Sequence, residues 1–353
     1  MTAPAVPPAD RWQRWRERGR SALASGATRA VAGVAMTAGF AAVFALRMRG
    51  DFGELVDGLR DIALAMLIPA VVLNLFDVWC QAVRLRALLR HLSPPPTSRL
   101  FAALLIGIMG NNLLPMRMGM VLRAQYLSSR HGFQLASMLS VLVVEGFMDG
   151  LVLAALFVPV LVIVGSDTGV FWAVLLSGGV AAGGLIVFRL AYAERWAARF
   201  RPLWERLRRA PVPGPMARQF ASWASAFAEG VASVRSERSL ALAALATAAA
   251  WVVTAGVYYT VGRAFSLDLD WTAYLVLTAA INVSGLVQAS GGNVGPYEVV
   301  ATEVIAGFGV PRGTAGAYAI VTHLVRLVPL TIVGLALFAW HTAMPPAPRR
   351  EEG

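Results

Sequence analysis

The sequence predicts an all-α integral membrane protein, and three observations carry that prediction. Hydrophobic residues make up 57% of the 353 and charged residues only 14%, roughly half the charged share of an ordinary soluble domain. The apolar residues gather into stretches close to the ~20 residues that a helix needs to cross a bilayer. The 31 basic residues, all of them arginine, cluster in the short connections between those stretches.

The apolar stretches run over about 30–46, 61–83, 100–115, 134–164, 170–190, 239–262, 271–289, 295–309 and 313–340. The first follows a basic segment, 1–29, in the charge order of a secretory signal. It has neither a small-residue cleavage site nor a twin-arginine pair, and it reads as an uncleaved first span. Arginine bias then sets the orientation. Arg11, Arg14, Arg16, Arg18, Arg20 and Arg29 put the N-terminus in the cytoplasm, and Arg84, Arg86, Arg90 and Arg99 return the chain there. Between them, Asp51, Glu54, Asp57 and Asp61 offset Arg47, Arg49 and Arg60, which suits the outer face.

Stretches 100–115, 271–289 and 295–309 are too short or too punctured to cross. If 100–115 dips in and returns, Arg117, Arg123 and Arg130 stay on the cytoplasmic side, as the bias requires. The expected architecture therefore has about six full transmembrane helices and two re-entrant helical hairpins entering from opposite faces, an arrangement that suggests an inverted repeat. The membrane domain covers 30–340. It includes a basic cytoplasmic connector over about 191–238 and leaves a cytoplasmic tail at 341–353. The expected location is a bacterial-type plasma membrane with both termini inside.

Composition also narrows the chemistry. A net charge of +11 placed in loops matches contact with anionic lipid headgroups, and no nucleic-acid partner is expected. Cys80 is the single cysteine, which excludes an intramolecular disulfide and a thiolate cluster. His91, His131, His323 and His341 are scattered without metal-ligand spacing, and no serine sits in a nucleophile elbow. No cofactor, no metal and no enzymatic activity are expected. An integral-membrane enzyme acting on lipid-linked substrates is the weaker alternative. A subunit that anchors or regulates a separate lipid-modifying enzyme is another, with the basic 195–218 segment as its docking surface.

Two motifs interrupt apolar runs. The first is "GNNLLPMRMGMVLRAQYL" at 110–127: Asn111 and Asn112 offer amides, Pro115 ends the inward helix, and Gly119 is read as permitting a tight reversal. The second is "SGGNVGPYEVV" at 290–300. Gly291, Gly292 and Gly295 allow positive φ and close backbone approach, and Pro296 suits the first turn of a following helix. Glu298 lies in that turn, where it either caps the helix or pairs with a cation from elsewhere. The glycines are not a nucleotide fingerprint, because no strand precedes them.

In order and separation, "NNLLP…MGMVLRA" and the distant "GG…GPYE" resemble the lysylphosphatidylglycerol synthase transmembrane-region family, the flippase-like domain of the multiple peptide resistance factor. The resemblance covers most of 30–340. It implies an all-helical membrane fold with re-entrant helices and movement of a lipid headgroup between leaflets, the lipid being anionic or aminoacylated. It points to Asn111, Asn112, Pro115, Gly119, Arg123, Glu145, Gly292, Gly295, Glu298 and Arg326. Two departures bear on headgroup chemistry: Met120 stands where the family often has glutamate, and the second motif is one residue longer between its glycines.

Buried charge points the same way from the residues alone. Glu145 and Asp149 are four apart, His323 and Arg326 three apart, and Asp77, Gln81 and Arg84 share one helical face. An ionisable residue at the bilayer centre costs roughly 2.5–3.5 kcal/mol on insertion scales, so such groups face each other or water. The expected pairing is Glu145 or Glu298 with Arg326 in a polar cavity. Asp77 and Arg84 are read as snorkelling at an interface, and His323 as either site or core.

Overall fold

The computed structural model describes residues 35, 37–90, 93–114, 118–131, 133, 138, 141, 142, 144–151, 237–286 and 291–343. Most of the 134–164 stretch lies outside these residues, as do Pro115, the 170–190 stretch, the connector with its 195–218 segment, and both terminal segments. Every regular element among the described residues is helical.

In chain order the elements are α1 (Thr37–Arg47), α2 (Phe52–Arg60), α3 (Leu67–Leu88), α4 (Thr97–Leu113), α5 (Met118–His131), α6 (Glu237–Ala264), α7 (Trp271–Leu286), α8 (Pro296–Gly307) and α9 (Arg312–Ala343). A further helical segment, 144–151, carries Glu145 and Asp149. Three stretches are long and apolar enough to cross a membrane: Leu64–Leu88, Arg238–Ala264 and Arg312–Thr342, of 25, 27 and 31 residues. At 1.5 Å per residue each exceeds the ~30 Å hydrocarbon core. By the same measure the 17 residues of α4 and the 12 of α8 fall short.

The most extensive interface joins α3 to α6, and their contacts run in opposite directions: Ala63 meets Ala264 and Asp77 meets Thr254. The α9 helix runs parallel to α3, with Asn74 against Val325 and Asp77 facing Arg326. These three long helices thread two separate apolar cores. One gathers Leu85, Leu88, Leu100, Leu104, Leu127 and Val144 around α4 and α5. The other gathers Ala70, Tyr258, Tyr274, Ile305 and Tyr318 around α7 and α8. Each helical hairpin thus packs at its own end of the long helices.

The α4–α5 hairpin is a small-residue crossing. A Cβ on Gly119 would stand 1.9 Å from the Gly107 carbonyl oxygen, and one on Gly110 would stand 2.7 Å from the Gly119 Cα. Gly119 is therefore required by backbone contact between two helices. The tight reversal expected of it is corrected: it sits inside α5 and is not among the positive-φ glycines.

A helix also occupies what the charge pattern presents as a plain outer loop. In α2, Phe52, Leu55, Val56 and Leu59 repeat at helical spacing, with Leu55 buried and Phe52 and Leu59 exposed. Glu54 on this helix accepts the Gly313 amide at 3.1 Å, capping the first turn of α9. Glu303 on α8 pairs with Arg47 at 2.8 Å and with Arg312, which ties α1, α8 and α9 together at the same end.

Candidate functional site

The two interrupting motifs meet each other. A Cβ on Gly291 would lie 2.7 Å from the Asn112 carbonyl oxygen, so the tip of α4 rests directly on the backbone of the second break. Asn112 Nδ2 donates to Thr331 Oγ1 at 2.8 Å, fixing that tip to α9. Asn111 Oδ1 is buried and has no hydrogen-bond partner among the described residues. The chain at the second break holds Gly292 at φ 69°, Asn293 at φ 60° and Gly295 at φ 97°. Glycine supplies two of these left-handed positions without the Cβ clash that other residues incur. Asn293, tolerant of that region, bonds Ser284 on α7 at 3.2 Å.

Pro296 begins α8, as its fixed φ and missing amide hydrogen favour. Glu298 does both of the things open to it in the sequence. Its Oε2 accepts the Gly295 amide at 2.6 Å, which satisfies the N-cap donor. Its Oε1 stands 2.5 Å from His323 Nδ1, and His323 Nε2 stands 2.8 Å from the Gly292 carbonyl oxygen. The Tyr297 ring stacks on His323 with centroids 4.1 Å apart. His323 is thus a member of the break and holds its two sides together.

A second cluster lies along α3. Arg84 pairs with Asp149 and stands 3.6 Å from Glu145, while Arg123 pairs with Glu145. Two turns earlier on the same face, Asp77 accepts from Gln81 at 3.1 Å and from Thr254 at 3.3 Å. Arg326 faces Asp77 at 3.8 Å and lies over the Tyr258 ring at 5.4 Å. That separation is too long for a hydrogen bond. Arg326 Nη1 is buried with no hydrogen-bond partner among the described residues.

Three expectations are corrected by this geometry. Glu145 pairs with Arg123 and Arg84 rather than with Arg326. Glu298 pairs with His323 rather than with Arg326. Asp77 and Arg84 do not snorkel: they are 3% and 4% exposed and lie inside the helix packing. The seven-residue spacing of Asp77 and Arg84, with Gln81 between, puts the three on one helical face, and the packing of α3 turns that face inward. Asn74, Thr254 and Thr331 were not anticipated, since single polar residues in apolar helices carry no pattern. Met120 is exposed on α5 and takes no part in the cluster.

These features define a polytopic helical membrane protein with ion pairs buried along its long helices and two chain breaks in contact. Family comparison agrees. The model of the family described as "Lysylphosphatidylglycerol synthase TM region" matches residues 30–334, and the chain belongs to that family. It is also similar to a "UPF0104 membrane protein" of Methanothermobacter thermautotrophicus, 25% identical over 250 residues, or 66% of this chain and 71% of that protein.

Proposed function

We propose that the protein is a lipid flippase that moves a phospholipid or lipid-linked headgroup between leaflets along a polar path through the membrane. In this reading α4–α5 and α7–α8 are re-entrant hairpins, and the headgroup passes their point of contact while the acyl chains stay in the bilayer. The observation that carries the proposal is Arg326. It is a cation within a membrane-length helix, with one nitrogen unpaired among the described residues and Asp77 facing it at 3.8 Å, beyond hydrogen-bond range. A partly buried guanidinium with a free donor suits a phosphate, which it binds in a bidentate fork. The family's description supports an anionic or aminoacylated lipid as cargo.

The acids nearby give the path its second sign. Asp77, Glu145 and Asp149 balance Arg84, Arg123 and Arg326, so a headgroup with both phosphate and ammonium finds partners for each. The chain carries no nucleotide-binding motif, so the driving force in this reading is a gradient, a potential or downhill flow. Movement of cargo without chemistry also makes this a carrier rather than an enzyme. The end with Arg84, Arg123 and Arg130 is the cytoplasmic one in this orientation.

Leaflet exchange of a fluorescent phosphatidylglycerol in proteoliposomes tests the proposal. Wild-type protein is expected to speed exchange above protein-free vesicles, and Arg326→Ala to remove most of that gain. Wild-type exchange at the protein-free rate, under every gradient imposed, refutes it.

A further inference from the structure

The hydrogen bonds at the second chain break do not balance unless a proton is added. His323 meets an acceptor at each ring nitrogen: Glu298 Oε1 at Nδ1, 2.5 Å away, and the Gly292 carbonyl oxygen at Nε2, 2.8 Å away. A neutral imidazole carries one N–H and can donate to only one of them. With an ionised carboxylate the other contact sets two lone pairs against each other. Glu298 Oε2 offers no way out, because it already accepts the Gly295 amide. Both contacts form only when the pair holds one proton more than a carboxylate and a neutral ring. That proton lies between Nδ1 and Oε1.

We infer that the Glu298–His323 pair is the binding site of a coupling proton, and that releasing it opens the seam between the two chain breaks. The inference rests on the flippase reading above and names its coupling ion. The mechanical link is short. The Gly292 carbonyl held by His323 belongs to the turn on which the Asn112 carbonyl rests. When the proton leaves, the one ring proton stays on Nδ1 in a charge-assisted bond to the carboxylate, Nε2 sets a bare lone pair against the Gly292 carbonyl oxygen, and the turn at 291–293 loses that hydrogen bond to α9. The tip of α4 then keeps its bond to Thr331 of α9 but faces a turn freed from His323.

The other titratable groups nearby leave this accounting intact. Tyr297 contacts the imidazole through its ring face. Arg326, one turn further along α9, faces Asp77 of α3 at 3.8 Å and the Tyr258 ring of α6, and makes no hydrogen bond to the pair among the described residues. The α4 helix brings only the neutral Asn111 and Asn112, α7 brings Ser284 at the break and Tyr274 in its own core, and α1 meets Gly295 through Thr37 and Phe40. From α2, Glu54 reaches α9 at Gly313, ten residues before His323. No second carboxylate is hydrogen-bonded to the His323 ring among the described residues.

The test uses the full chain in vesicles of phosphatidylethanolamine and phosphatidylglycerol, with a trace of fluorescent phosphatidylglycerol as probe and a pH dye sealed inside. With one proton moved per lipid, each unit of imposed pH difference shifts the steady-state leaflet ratio of the probe by up to about tenfold. In Glu298→Gln the amide N–H donates to Nδ1 of a neutral ring and keeps both contacts without the proton. That variant is expected to lose the response to pH and the accompanying proton flux. Protein-dependent exchange that ignores the gradient overturns the proton site and leaves the flippase reading standing. If wild type moves no lipid at all, that reading falls, and the proton site is decided by the ¹⁵N spectrum of histidine-labelled protein. A His323 resonance that titrates in wild type and is altered in Glu298→Gln supports the site; one indifferent to pH in both overturns it.

Discussion

Asn74 supplies the hydrogen bond that Pro329 takes away. Pro329 lies inside α9 and has no amide hydrogen, so the carbonyl four residues earlier, that of Val325, loses its helical donor. Asn74 Nδ2, fully buried on α3, donates to that carbonyl at 3.1 Å. A helix that would otherwise carry an unpaired carbonyl at membrane depth is repaired by its neighbour.

This coupling predicts a specific double-mutant result. Asn74→Leu is expected to cost about 1–3 kcal/mol, the usual cost of stranding a buried polar group, and to lower the thermal midpoint in detergent. In a Pro329→Ala background the residue-329 amide restores the helical bond, so the same change should cost clearly less. Equal losses in both backgrounds would show that the two residues are independent.

Gly119 should be the least tolerant position of the first motif. A Cβ there meets backbone at 1.9 Å, which no side-chain adjustment relieves, so Gly119→Ala is expected to separate α4 from α5 and abolish the folded, monodisperse species on size exclusion. Gly307→Ala in α8, where a Cβ meets nothing within 4 Å, is the control and should be neutral or slightly stabilising.

Glu145 holds two arginines in a buried setting, its own side chain being 5% exposed. Removing it strands Arg123 and leaves Arg84 with Asp149 alone. Glu145→Ala is expected to destabilise by about 3–5 kcal/mol, whereas Glu145→Leu combined with Arg123→Met should recover part of the loss. A double variant weaker than the sum of both singles would refute the pairing. The midpoint of thermal unfolding reads all of them.

At the other end of the molecule the Arg47–Glu303–Arg312 group is 34–55% exposed and should behave differently. Glu303→Gln is expected to change stability by no more than about 1 kcal/mol, with an effect that fades at high salt. A large, salt-insensitive loss would mean that this trio is a buried latch.

The long helices were legible in the sequence because they depend on a running property. The stretches at 239–262 and 313–340 fall within α6 and α9, and 61–83 overlaps α3 once the helix α2 is set apart before it. The α2 helix was legible too, in the spacing of Phe52, Leu55, Val56 and Leu59, but four acids around it read more simply as a loop. Helical spacing could place Glu145 beside Asp149 and His323 beside Arg326, since a shared face follows from 3.6 residues per turn. It could not choose partners between helices. Arg123 and Glu145 find each other across 22 residues and Arg84 and Asp149 across 65, distances that follow from how the helices pack and not from spacing along one of them. Gly119 shows the same limit: a glycine required for a close crossing and one required for a left-handed turn look alike in one dimension.

The burial of Asp77 and Arg84 also has a consequence for biogenesis. Both are synthesised well before their tertiary hydrogen-bond partners, 65 residues ahead for the Arg84–Asp149 pair and 177 for Asp77 and Thr254. At translation rates of 5–20 residues per second these gaps last about 3–13 and 9–35 seconds. Through that interval α3 is a nascent span carrying an acid and a base with no tertiary partner, so its entry into lipid must wait for later helices or proceed in their company. Gln81, one turn from Asp77 and bonded to it within the same helix, gives the carboxylate a companion that is present from the start.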